Sequence, residues 1–167
     1  TVPQLSIGAA YGYVDEAKRN KGIVGAVPTD GGTTDTTNLT ADVCFRLHGF
    51  SIESAVFWRE GIRNAGNAVD EFDNALPIEE ARNGMGYYVQ SGVLLPTSNN
   101  EMTLRYGQVL PSKNNSSLSE QSEFGVGFNH YIAEHAYKLQ SDIFQTWSDT
   151  PLLKGDTQVR IQLQMAY

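Results

Sequence analysis

The feature that most constrains this chain is strict alternation of apolar and polar side chains, seen without a slip toward its end. In Thr157-Gln158-Val159-Arg160-Ile161-Gln162-Leu163-Gln164-Met165-Ala166-Tyr167 the apolar residues fall at every second position from Val159, and the last residue is aromatic. Successive side chains on a strand point to opposite faces, so Val159, Ile161, Leu163, Met165 and Tyr167 form one face and Arg160, Gln162, Gln164 and Ala166 the other. A soluble sheet could pack such an apolar face on a core. A tilted membrane strand of roughly ten residues would turn it to lipid. Repetition of the pattern along the chain separates the two.

The pattern does repeat. Leu5, Ile7, Ala9, Tyr11 and Tyr13 alternate with Gln4, Ser6, Gly8, Ala10 and Gly12, and a Gly/Thr/Asp-rich stretch over 14–38 reads as a long loop. Leu39, Ala41, Val43, Phe45 and Leu47 alternate with Thr40, Asp42, Cys44, Arg46 and His48, and a tight bend near Gly49 leads to a partner strand carrying Ile52, Val56 and Trp58. A second polar stretch, over 61–84, carries Asp70, Glu71, Asp73, Glu79 and Glu80. It has room for a short helix, but its weak periodicity favours a loop. Tyr87, Val89, Val93 and Leu95 pair across 96–100 with Met102, Leu104 and Tyr106. Phe124, Val126, Phe128 and His130 turn through 133–136 into Tyr137, Leu139, Ile143 and Trp147, and the terminal strand follows a short loop through Pro151 and Gly155.

About eight strands therefore emerge, with short turns after the second, fourth and sixth and longer polar connections between. Outer-membrane barrels alternate short periplasmic turns and long external loops in this way, which would place Tyr167 on the short-turn side. Tyr13, Trp58, Tyr87, Tyr106 and Trp147 fall near the long-loop ends of the apolar faces, with Phe128 and Tyr167 near the other end, as two interfacial girdles require. The same aromatics could fill the core of a soluble sandwich. Gly8, Gly12, Gly125 and Gly127 lie on the opposite face, where they would let strands bend.

Composition narrows the function classes. No run of about eighteen apolar residues is present, so a transmembrane helix is excluded. Mean hydropathy of -0.34 says little about a barrel, since its loops and half of each strand are polar. Thr1-Val2-Pro3-Gln4 lacks the basic start and apolar middle of a signal peptide, as expected of a mature or truncated chain. A net charge of -7 argues against nucleic acid as a partner. The single cysteine, Cys44, has no disulfide partner within the chain and reads as a small wall residue, and no zinc-ligand spacing or other cofactor motif occurs.

Met85-Gly86-Tyr87-Tyr88-Val89-Gln90-Ser91-Gly92, then Leu94-Leu95-Pro96 and Leu104-Arg105-Tyr106, resemble the phosphate-selective porin O and P family. So do Phe124-Gly125-Val126-Gly127-Phe128-Asn129-His130-Tyr131, Lys138-Leu139-Gln140-Ser141-Asp142 and Val159-Arg160-Ile161-Gln162-Leu163-Gln164, in the same order. The resemblance covers the second half of the chain, and the first half only through hairpin pattern and the Gly49-Phe50-Ser51 turn. It implies an all-β, antiparallel transmembrane β-barrel in a bacterial outer membrane. The chain would form a single domain, the C-terminal half of a sixteen-stranded porin that is a homotrimer and passes anions. Its partners would be outer-membrane lipid, lipopolysaccharide and small solutes.

If the apolar faces meet lipid, the opposite faces place Arg46, Arg59, Arg105, Lys138 and Arg160 on the pore wall with Asp42, Glu53 and Asp142, a mixed lining of slight cationic excess. Such cations would attract anions through charge-assisted hydrogen bonds, or would pair with the wall carboxylates and support it. The carboxylates of 70–80 would repel anions at the mouth. The expected function is passive diffusion of small hydrophilic solutes, anions such as phosphate among them. A complete eight-stranded structural or adhesive barrel is the alternative, its interior filled by side chains. A rim hydrolase ranks third: His48, His130 and His135 fall near turn ends, and no Ser-His-Asp set converges by spacing, so no enzyme is expected. Sequons at Asn38-Leu39-Thr40 and Asn114-Asn115-Ser116 carry little weight, since such triplets arise by chance.

Overall fold

A computed structural model describes residues 2–21, 24–112, 116–133, 137–148 and 152–165. It contains β1 (Gln4–Ala17), β2 (Thr33–Leu47), β3 (Phe50–Asn64), β4 (Gly84–Leu94), β5 (Asn100–Pro111), β6 (Gln121–Ala133), β7 (Tyr137–Trp147) and β8 (Asp156–Met165). They form one antiparallel sheet in chain order, each strand bonded to its sequence neighbours. A 3-10 turn at Leu152–Lys154 precedes β8 and is the one helical element among the described residues. His135, Tyr167 and Asn114 lie outside those residues.

The short turns fix the register. His48 and Gly49 both take positive φ (48° and 81°), as a two-residue type I′ hairpin requires, and Leu47 pairs with Phe50 across it. Because side chains alternate, one such register commits every residue of both strands to a face. A single row then runs across the sheet as Leu5, Phe45, Ile52, Ser91, Leu104, Val126, Ile143 and Val159. The adjacent rows are similar, among them Ile7, Val43, Ser54, Val89, Tyr106 and Phe124. One face of the sheet is thus apolar from its first strand to its last.

Nothing among the described residues covers that face. Ile7 is 74% exposed and Ile161 76%, and the buried apolar residues are Ala17, Ala55 and Ala81. The accessible surface is 11499 Å². A compact soluble protein of 18.3 kDa would expose about 8,100 Å² by the usual size scaling, roughly 3,400 Å² less. A soluble sandwich, the competing expectation for the aromatics, would bury them between two sheets, whereas one sheet leaves Tyr11, Trp58, Tyr106 and Phe128 exposed.

The sheet has two free edges among the described residues, since β1 pairs with β2 alone and β8 with β7 alone. It curls toward its polar face: one cavity of about 1050 Å³ touches β1 through β7 on that side, from Gln4 to Gln140. Strands also extend further than periodicity shows. β1 reaches Ala17 through a bulge at 14–17, β2 begins at Thr33, and β3 continues to Asn64. Beyond the apolar rows both faces are polar, as in Thr33-Thr34-Asp35-Thr36-Thr37-Asn38, so the alternation fades while the ladder continues. The stretch over 65–83 holds a bridge between Val69 and Ala75 and no helix.

Candidate functional site

The polar face gathers the residues that can act on a solute. Register places Asp42 in a row with Tyr88 and Glu123, Glu53 in a row with Cys44, Gln90, Arg105 and Phe144, and Arg46 in a row with Thr103, Asp142 and Arg160. Arg59 and Lys138 share that parity, so all eight residues singled out from the sequence stand on one face.

They do not form one cluster. At the centre, Arg105 donates from Nε to Glu123 at 2.8 Å and from Nη1 to Gln90 at 3.3 Å, with its guanidinium 4.0 Å from the centre of the Tyr88 ring. The Tyr88 hydroxyl in turn donates to Glu53 at 2.5 Å. Toward β8, Arg160 donates to Asp142 at 2.7 Å and lies 4.6 Å over the Phe144 ring. Phe144 reaches across Gly125, where any Cβ would meet the ring, so this glycine is required by close approach. Two of the predicted cations are therefore already paired and stacked.

Arg46 and Lys138 line the cavity at the turn end, with Glu53, Glu101, Thr103, Asn129 and Gln140. Neither makes an ion pair among the described residues. Glu101 accepts from Asn129 at 2.9 Å and from the Tyr131 hydroxyl at 2.6 Å, and Gln140 donates to Asn129 at 3.0 Å. Cys44, half-buried, belongs to the same lining, as the small wall residue expected.

The slight cationic excess read from the sequence does not hold. The register adds Glu101, Glu123 and Asp156 to Asp42, Glu53 and Asp142, and adds Arg63 to Arg46, Arg59, Arg105, Lys138 and Arg160, so acids and bases of the polar face match one for one. The added carboxylates alternate with the apolar residues of β5, β6 and β8. The partners of Glu123 and Glu101 are 18 to 30 residues distant, so chain spacing does not reveal these contacts.

At the opposite end two loops fold over the polar face. Arg63 donates to the Glu79 carbonyl at 2.8 Å, the Thr33 carbonyl at 2.9 Å, the Thr34 hydroxyl at 3.1 Å and Asp30 at 2.5 Å. This ion pair is buried, its side chains 9% and 2% exposed. Burial pushes the Asp30 carboxyl up, but donation from the Gly66 backbone and the Arg63 charge outweigh it and hold Asp30 below the ordinary carboxylate range. Glu79 is also held low, by the Thr29 amide and hydroxyl at 2.8 Å each. Arg59 lies beneath this knot and donates to the Asn20 carbonyl at 3.1 Å, its Nε buried without a partner among the described residues.

His130 shares a hydrogen bond with Asn100 at 2.7 Å, His48 occupies the hairpin turn, and no group of three His, Cys, Asp or Glu among the described residues converges as a metal site. Comparison with family models, curated proteins and solved structures returns no match.

Proposed function

We propose that the chain forms one wall of an outer-membrane β-barrel porin through which small hydrophilic solutes diffuse passively. The single observation that carries this reading is the segregation of the sheet: the central rows of one face are largely apolar and exposed, while the opposite face is polar, charged and curled around a cavity. A sheet of this kind is stable where its apolar face meets lipid and its backbone is paired strand to strand. Aromatics at both ends of the apolar face support the same placement, Tyr11, Trp58 and Tyr87 toward the long loops and Phe50, Phe128 and Tyr137 toward the turns.

The free edges of β1 and β8 favour half of a larger barrel over a closed eight-stranded one, because an unpaired edge cannot persist in hydrocarbon. Eight further strands would close it, in keeping with the sixteen-stranded, trimeric architecture of the porin family that the second half of the chain resembles. Planar-bilayer recording of the full-length protein tests the reading. Stepwise, passive conductance is expected, and a protein that inserts without conducting would overturn it.

A further inference from the structure

From the charge pattern of the polar face we infer that this wall selects no anion and serves neutral, polyhydroxylated solutes of the saccharide class. The inference deepens the porin reading and rests on it.

Three observations point the same way. First, acids and bases of the face match one for one, and Arg105 at the centre and Arg160 on β8 are held by Glu123 and Asp142. An arginine already committed to a carboxylate and stacked on a ring has little field left for a passing anion. Second, the cavity sets Glu53 and Glu101 against Arg46 and Lys138, which make no ion pair among the described residues, and its polar lining is completed by the amides and hydroxyls of Gln4, Ser51, Gln90, Thr103, Asn129 and Gln140, beside the apolar Val2, Leu47, Phe50 and Leu94. These side chains offer both donors and acceptors, the combination that exchanges hydrogen bonds with a hydroxyl-bearing solute in place of water. Third, the approach over 65–83 is acidic. Asp70 and Glu79 are tied within the loops, while the carboxylates of Glu71, Asp73 and Glu80 make no hydrogen bond or ion pair among the described residues and add negative charge at the mouth.

The test uses the full-length protein in proteoliposomes and planar bilayers. Swelling is compared for a neutral hexose and for the same hexose as its phosphate, and the reversal potential is read in a potassium chloride gradient. The neutral sugar should permeate faster, and the potential should show no preference for chloride. Faster permeation of the sugar phosphate, or a strongly chloride-selective potential, would overturn the inference while leaving the porin reading intact. Absence of swelling with either solute would overturn both. The variant Glu101→Gln localises the effect to this wall: removing one unit charge from the cavity lining should shift the cation-to-anion ratio toward anions by roughly twofold. An unchanged ratio in that variant would mean that Glu101 does not face the path and would overturn the assignment.

Discussion

At the scale of single residues, two ion pairs of the same chemistry should behave differently. Arg63 and Asp30 are buried where two loops meet the sheet, so Arg63→Ala would leave a carboxylate desolvated without its counter-charge. Loss of a buried partner costs about 3–5 kcal/mol, and hydrogen exchange over 26–34 and 63–70 should accelerate by the corresponding two to four orders of magnitude. Arg160 and Asp142 are 53% and 25% exposed, and Arg160→Ala should cost at most about 1 kcal/mol in a denaturation series. A third residue-scale expectation concerns Gly125. Gly125→Val would drive a side chain into the Phe144 ring and displace the arginine stacked on it, at about 1–3 kcal/mol of stability in the same series.

At the scale of elements, strands and loops answer to different forces. On β6, Val126 and Gly127 are neighbours on opposite faces. Val126→Arg should lower stability in lipid by about 2–4 kcal/mol if it reaches the bilayer midplane, whereas Gln158→Arg on the polar face of β8 should change it little. The loops should respond to acid. Asp30, Asp70 and Glu79 are all held below their ordinary values, Asp70 chiefly by the amide and side chain of Asn74. A depressed carboxylate stabilises the fold fully above its unfolded value near 4, and this is lost as pH falls through the folded value. Proteolysis of the 65–83 loop should therefore be unchanged between pH 7 and 5 and accelerate below pH 4.

These elements differ in how far the chain itself discloses them. Strand identity and facing were legible because Leu5–Tyr13, Leu39–Leu47 and Val159–Met165 alternate strictly, and the His48–Gly49 turn fixes register locally. Strand ends at Ala17, Thr33 and Asn64 were not, because both faces are polar there and the period vanishes. The Arg63–Asp30 knot was also hidden, since its partners are 33 residues apart in loop-rich sequence. Of the candidate site, the eight charged residues were legible as one polar face. The carboxylates that neutralise it emerge only once β5 is set beside β6.

At the scale of the whole molecule, the sheet lacks a core of its own, and the apolar face that would have supplied one is left outward. On the proposed porin reading its stability comes from an apolar surrounding, so the full-length protein should stay monodisperse in detergent micelles and aggregate on detergent removal without lipid, as sedimentation would show. A bilayer-inserted sheet should also present water to alternate residues only. The most direct measurement is a single-cysteine scan over 158–164 of β8, in the full-length protein with Cys44 replaced by serine, inserted in liposomes and treated with a water-soluble thiol reagent. Positions 158, 160, 162 and 164 should label, and 159, 161 and 163 should not. Uniform labelling, or labelling in the opposite phase, would contradict a wall with lipid on one side and water on the other.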